Sequence, residues 1–133
     1  MARAIRLALD DAGLKPKDID YICADAAGTV DGDITETKAI KQVFGEYAKQ
    51  VAISAPKSVY GNMLGACGAL DVITTVLAME HSIVPPTINL ENPDPECDLD
   101  YCANKAKEKT IKNALIINRG RGGINCALIL QKS

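Results

Sequence analysis

The sequence predicts a single α/β domain built on a mixed, mostly parallel sheet. Segments with helical periodicity alternate with short apolar segments in the order αβαβα, and a long prolyl segment then leads to two final strands. Such alternation is typical of a parallel sheet with helices on both faces. The last two strands are joined by the glycine-rich segment 119–123, which predicts a tight hairpin and hence one antiparallel strand. A chain of 133 residues fits one domain spanning 1–133.

The first half of the chain carries clear helix and strand signals. Apolar residues recur on one helical face over 2–12, and Gly13 is a typical residue to end that helix. A short strand is predicted at about 20–24. Asp33 and Glu36 have the spacing of a capping box, which predicts the start of a second helix there. The next strand is predicted at 51–54.

The second half begins with the most apolar segment. A helix predicted over 62–80 is apolar nearly all round, so we expect it to be buried on most sides. Four prolines between positions 85 and 95 exclude a helix from the following segment. The final strands are predicted at 114–118 and 124–131.

Composition narrows the function classes. The chain is 47% hydrophobic and 24% charged, with a net charge of −2 and a pI near 5.3. These values indicate a globular protein and do not favour nucleic acid as a partner, because a basic surface stripe is missing. The longest basic run, Lys105–Lys112, is interpreted as a solvated surface, with contact to an acidic carrier protein as the alternative.

The sequence also predicts the cellular location of the protein and the redox state of its cysteines. No signal-peptide pattern opens the sequence, and the apolar segment 63–79 contains Asp71, which favours a buried helix over a membrane span. The five cysteines include no CxxC pair, which favours a reducing cytoplasm without disulfides. Cys97 and Cys102 lie five residues apart with no histidine nearby, so we predict no metal site. No cofactor is expected either.

Three segments together resemble a known enzyme family. They read AAGT followed by GD.TETKAI, then APKSVYGNMLGACGALD, then the run from VPPTINLENPDPECDLDY to NRGRGGINCALIL. They are similar to the C-terminal half of a β-ketoacyl-acyl-carrier-protein synthase, which has a thiolase-like fold. The resemblance implies a half-domain with a five-stranded sheet whose first, central strand precedes residue 1. We therefore expect that central strand to be missing, leaving exposed edges that promote association.

The resemblance also implies a catalytic apparatus. In the family, a cysteine thiolate on the N-terminal half accepts the acyl chain, and two histidines hold the oxygen of the malonyl thioester during decarboxylation. The histidine motifs read approximately AHGT and KSxxGH. Here Ala27 replaces the first histidine, whereas Lys57 keeps its motif position and Asn62 replaces the second histidine. An asparagine amide can still donate a hydrogen bond, but a methyl group cannot.

The closing hairpin departs from the family as well. The family motif resembles GFGGTN, with a phenylalanine that gates the acyl pocket. The resemblance therefore assigns the acyl pocket to Arg121, Gly122, Gly123 and Asn125, with Arg121 at the gate. An arginine there suits an apolar acyl tail poorly.

These departures favour a non-catalytic or degenerate synthase subunit, similar to the chain length factor of type II polyketide synthases. The resemblance implies work in fatty acid or polyketide biosynthesis, an acyl carrier protein as partner, and pairing with an active synthase subunit or N-terminal half in a homo- or hetero-oligomer. Neither nucleic acid nor membrane is expected as a partner.

Two alternatives remain open at the level of sequence. The chain is a working acyltransferase when complemented by an N-terminal half that carries the nucleophilic cysteine, with Asn62 serving as in the initiating class of synthases. Otherwise it is a structural or carrier-binding module that contacts its carrier through Lys105–Lys112.

Overall fold

A computed structural model describes all residues 1–133 as one α/β domain. The four longer or central strands are β1 (Tyr21–Cys23), β2 (Ala52–Ser54), β5 (Asn113–Arg119) and β6 (Asn125–Gln131). They form one sheet in the order β2-β1-β5-β6, in which β1 is parallel to both neighbours and β6 is antiparallel to β5. The predicted mixed, mostly parallel sheet is confirmed, and the predicted strand positions agree to within one residue.

Helices cover both faces of this sheet, as the sequence predicts. Helices α1 (Ala2–Ala12) and α2 (Val30–Phe44) lie on one face, and α4 (Cys67–His81) lies on the other. The alternation of side chains along a strand supplies both cores. In β1, Ile22 packs with α1 and α2, whereas Tyr21 and Cys23 pack on the side of α4.

The minor elements connect this framework. The short helix α3 (Lys57–Tyr60) follows β2 directly, and two small strands, β3 (Ile83–Val84) and β4 (Lys107–Glu108), form a separate antiparallel pair. The prolyl segment runs between β3 and β4 and is joined to itself by a bridge between Thr87 and Ala103. The chain therefore returns from this long segment to the sheet edge before β5 begins.

One expectation about the sheet is wrong. The family strand expected before residue 1 leaves no gap in the middle of this sheet. Strand β1 pairs directly with β2 on one side and with β5 on the other. The register of these pairs is continuous, so a missing central strand has no space to occupy. Any additional strand can pair only at an outer edge, beside β2 or β6.

The prediction that Asp33 and Glu36 form a capping box is also wrong. Helix α2 begins at Val30 with Thr29 at its N-cap, so Asp33 and Glu36 lie inside the helix. Glu36 instead reaches out of the helix to the chain segment that follows β1. A tertiary contact thus uses the side chain that the local pattern assigns to the cap.

The long apolar helix is shorter and far more exposed than the sequence predicts. A turn of 3-10 helix over Leu64–Ala66 precedes α4, and only 28% of the segment Leu64–His81 is buried. By length and apolar content this segment is long enough to cross a membrane. One stripe faces the sheet, and it consists of Cys67, Asp71, Thr75, Ala78 and Met79. On the outer side Ile73, Val76 and Leu77 are exposed, and we call these three residues the α4 patch.

We expect Ile22→Ala to lower the free energy of unfolding by about 2–5 kcal/mol, because Ile22 is fully buried in the central strand. The matched control is Ile73→Ala, which truncates the same side chain at a position that is 55% exposed and should change stability by less than about 0.5 kcal/mol. Urea unfolding followed by circular dichroism measures both values. Equal effects at the two sites would contradict the assignment of α4's outer face to solvent.

Candidate active-site pocket

A cavity of about 310 Å³ lies at the carboxyl ends of the parallel strands β1 and β2. This is the position where open α/β sheets bind ligands, because loops leaving adjacent strands diverge there. The loop after β1 forms one wall, α2 and the start of α3 form two others, and the prolyl segment closes the fourth. Its lining residues are Ala24, Ala26, Ala27, Gly28, Asp33, Glu36, Thr37, Ala55, Lys57, Ser58, Asn62, Thr87, Leu90, Cys97 and Tyr101.

The turn after β1 is held in place by Glu36. The two carboxylate oxygens of Glu36 accept hydrogen bonds from the backbone N–H groups of Asp25 and Ala26, each at 2.8 Å. Ala26 has a φ of 38° and Gly28 a φ of 74°, both in the left-handed region. An alanine there stores strain, so the turn depends on the clamp formed by Glu36.

Glu36 is buried, and its charge is correspondingly costly. Burial raises the pKa of Glu36 to about 7, against the two N–H donors that stabilise the charged form. The nearby carboxylates of Asp25 and Asp33 raise the pKa further. The clamp on the turn therefore changes its protonation state close to neutral pH.

Lys57 is the centre of a buried ionic cluster. Its Nζ lies 2.9 Å from Oδ2 of Asp71 and 3.5 Å from Oδ1 of Asp25, and all three side chains are less than a tenth exposed. Burial opposes the ammonium charge, but the hydrogen bond and charge of Asp71, together with Asp25, keep the pKa of Lys57 above its ordinary value. Lys57 is thus held as a cation by the carboxylates of Asp71 and Asp25.

Asp71 also binds Tyr60 of α3 and Asn118 of β5. Its Oδ1 accepts a hydrogen bond from the hydroxyl of Tyr60, and its Oδ2 accepts one from Nδ2 of Asn118 at 3.0 Å. The cluster therefore joins the end of β1, helix α3, helix α4 and strand β5. Sequence reasoning missed Asp25 and Asp71, although an aspartate among apolar residues is itself a signal, since a buried carboxylate needs a partner.

The prolyl segment is hydrogen-bonded to the wall opposite α2. Oγ1 of Thr87 accepts from the backbone N–H of Ala55 at 2.9 Å and donates to the carbonyl of Tyr101 at 2.6 Å. Oγ of Ser58 accepts from the N–H of Ile88 at 2.9 Å. These contacts tie the prolyl segment to the residues that follow β2, so that it forms one side of the cavity.

The structure brings together the predicted catalytic positions. Ala27, Lys57 and Asn62 all line the cavity. At Ala27, in the loop after β1, the side chain is a methyl group, so this position presents no side-chain donor to the cavity. Asn62 does not cap α4, whose N-cap is Ala66, and lies instead in the exposed segment between α3 and α4.

The predicted acyl-pocket residues lie elsewhere. Arg121, Gly122 and Gly123 form an exposed 3-10 turn between β5 and β6, and Asn125 begins β6. None of the four lines the cavity. The hairpin follows the carboxyl end of β5, which is parallel to β1, so it lies at the same edge of the sheet as the cavity. Its contribution to an acyl pocket stays a prediction.

Cys97 is the cavity residue whose reactivity must be weighed. It is half-buried, and its sulfur makes no hydrogen bond. A cysteine nucleophile needs an adjacent base or cation that stabilises the thiolate, and no histidine lies in the cavity. Cys97 therefore has no histidine base beside it in this cavity.

Comparison with known proteins places this geometry in a family. Residues 1–91 match the family described as the beta-ketoacyl synthase C-terminal domain. The chain belongs to that family. It is 47% identical over 130 residues to the 3-oxoacyl-[acyl-carrier-protein] synthase 2 of Synechocystis, covering 98% of this chain and 31% of that protein.

Solved structures agree with this assignment. The chain superposes with a TM-score of 0.97 and 39% identity on a type II polyketide synthase ketosynthase, bound to the hexaketide and in complex with its acyl carrier protein. It superposes with a TM-score of 0.95 and 42% identity on the ishigamide ketosynthase/chain length factor. Each match covers 99% of this chain and 32% of the other. This β-ketoacyl synthase domain thus spans about a third of the length of the proteins it matches, and they work in polyketide and fatty acid synthesis.

We expect Glu36→Gln to change how stability depends on pH. In the wild type, the folded state binds the proton of Glu36 up to pH 7, whereas the unfolded state releases it near 4.5, so stability falls as pH rises between these values. The variant cannot titrate at this position. Its stability relative to the wild type should therefore improve by about 2 kcal/mol between pH 5 and pH 7.5.

Urea unfolding of both proteins at the two pH values tests this expectation, because titrating groups that do not interact with Glu36 cancel in the comparison. A stability difference that does not vary with pH would show that Glu36 keeps an ordinary pKa and is not buried as described.

Proposed function

We propose that this domain is a degenerate β-ketoacyl synthase half that pairs with an N-terminal synthase half or subunit and shapes its pocket. The observation that carries the proposal is Ala27 in the loop after β1, where a methyl group stands in the cavity wall in place of a side-chain donor. A decarboxylation transition state develops negative charge on the thioester oxygen, and a wall without donors stabilises that charge poorly. We therefore propose a role like that of a chain length factor. We also propose a cytoplasmic location and an acyl carrier protein as the source of the growing chain.

The surface of the domain supports the pairing. The α4 patch is exposed on the side of the sheet that only one helix covers, and Leu128 of β6 is exposed on the same side. Soluble domains rarely leave several large aliphatic residues uncovered on one helix face. Since the relatives are about three times longer than this chain, the occupant we propose is the N-terminal half of a synthase.

The cavity is also open next to this surface. Asn62 and the neighbouring residues Met63 and Leu64 are exposed, and Leu64 is 81% exposed with a φ of 53°. A partner seated on the α4 patch would cover this segment and complete the cavity with its own residues. The thiolate that this chain lacks would then arrive from the partner.

A working condensing enzyme is the second candidate, and the amide of Asn62 favours it. Oδ1 of Asn62 accepts a hydrogen bond from the backbone N–H of Leu64 at 2.9 Å, so its Nδ2 group is available as a donor. A cavity with one such donor retains part of the apparatus for holding a thioester oxygen.

Pairing can be tested by a single charge placed on the α4 patch. We expect the wild-type chain to form a complex with the N-terminal part of the Synechocystis synthase, and Leu77→Asp to lose at least tenfold in affinity because the new carboxylate is desolvated at the interface. Leu7→Asp is the matched control, since Leu7 is similarly exposed but lies on α1. Sedimentation velocity measures the complex; a wild-type chain that stays monomeric with this partner argues against the pairing.

Catalysis separates the two candidates. In the same complex, release of carbon dioxide from malonyl-acyl-carrier protein should be absent if the domain is degenerate. If the second candidate is right, release is measurable and Asn62→Ala lowers it by about 10²–10³-fold, the usual effect of removing one oxyanion donor. Asn92→Ala, an exposed asparagine outside the cavity, should leave the rate unchanged.

A further inference from the structure

We propose that Cys67 is a positioning residue that fixes the side-chain amide of Asn62 with its NH2 group directed at the cavity. The proposal rests on the second candidate function above, because a fixed donor at this position would recognise the carbonyl oxygen of an acyl thioester. Its structural part, the orientation of the amide, can be tested without any turnover.

The backbone determines which end of the amide is the oxygen. The N–H of Leu64 points at Oδ1 of Asn62 over 2.9 Å. If the amide were reversed, two donors would face each other, and an N–H group would lose its acceptor. Leu64 lies in the left-handed region with a φ of 53°, and the contact with Asn62 stabilises this turn.

The thiol of Cys67 provides a second, independent restraint. Its S–H donates to the same Oδ1 atom over 3.3 Å, and its sulfur accepts from the backbone N–H of Met63 over 3.1 Å. Cys67 is 3% exposed and begins helix α4, so it is a rigid point next to an otherwise exposed segment. Because the sulfur contacts both Asn62 and Met63, it ties this segment to the helix.

These two restraints on Oδ1 leave the NH2 group of Asn62 without a partner in the chain. Both hydrogen bonds occupy Oδ1, and no group of the chain accepts from Nδ2 of Asn62. Asn62 lines the cavity, so its two N–H donors are left for a ligand oxygen. Fixing a donor in advance removes the entropy cost of ordering it when the ligand binds.

The thiol also explains why an exposed asparagine has a defined orientation. An exposed amide normally rotates freely between water partners, and a single backbone contact leaves it free to swing about Leu64. Two donors that converge on one oxygen from different elements restrict that motion. Cys67 thereby has a role besides packing, although its own sulfur does not line the cavity.

The orientation is tested by 15N relaxation of the side-chain NH2 group of Asn62 in the full 133-residue chain. We expect an order parameter near 0.8 in the wild type, a value typical of rigid groups. Cys67→Ala should lower it below about 0.6, and Cys67→Ser, which keeps a donor and an acceptor, should restore it. Cys102→Ala removes another buried thiol that does not contact Asn62 and should leave the order parameter unchanged.

An unchanged order parameter in Cys67→Ala, or an equal loss in Cys102→Ala, would falsify the positioning role. If Cys67→Ala fails to fold, Cys67→Val replaces it, because valine fills a similar volume and cannot donate a hydrogen bond. A rigid Asn62 amide in Cys67→Val overturns the proposal in the same way.

Turnover provides a separate readout in the complex with an N-terminal synthase half. Cys67→Ala should lower kcat for malonyl decarboxylation about three- to tenfold with little change in KM, the effect of weakening one hydrogen bond. In an Asn62→Ala background the same change should cost nothing more. If the wild type has no activity, the second candidate function fails, while the relaxation experiment still decides the role of Cys67.

Discussion

The buried ion pair between Lys57 and Asp71 is the constraint on which the pocket depends. Two carboxylates and one ammonium share a buried site, and both oxygens of Asp71 have hydrogen-bond partners, supplied by α3 and β5. Removing one member of such a cluster typically destabilises a protein by about 3–5 kcal/mol, because the remaining charge stays buried without compensation. The relative placement of β1, α3, α4 and β5 is therefore fixed from inside the site.

This arrangement explains why the pocket persists without the catalytic histidines. The groups that shape it, Glu36 on the turn and Lys57 in the cluster, act on backbone and on one another, and neither depends on the residue at position 27 or 62. A cavity made in this way tolerates replacement of the groups that touch the substrate. The residues at positions 27 and 62 can therefore change without loss of the cavity's shape.

Local signals were sufficient for part of this structure. The helix over 2–12 ends at Gly13 with φ 66°, as its periodicity and its glycine indicate. The strand positions and the antiparallel hairpin follow equally from apolar segments and turn residues. The start of α2 could not be found in this way, because Glu36 is used by the turn after β1, and a local pattern contains no information about that contact.

Two other features lie beyond any local pattern. An all-apolar helix is compatible with burial inside its own domain or against another protein, and composition does not distinguish these cases for α4. The strand order came from a resemblance rather than from the residues, which is why the gap was placed in the middle of the sheet. In the site, the family motifs located Ala27, Lys57 and Asn62 in one cavity, whereas Asp25, Asp71 and Cys67 became evident only from their contacts.

The uncovered side of α4 has a consequence for the protein inside a cell. A helix pinned to its sheet through Asp71 cannot turn its aliphatic residues inward, so a solitary copy keeps them in contact with water. Chaperones and proteases recognise such surfaces, and association with a second polypeptide shields them while shifting the folding equilibrium by mass action. Where a second polypeptide covers α4, the steady-state amount of this domain depends on the supply of that polypeptide, and copies made in excess of it remain open to turnover.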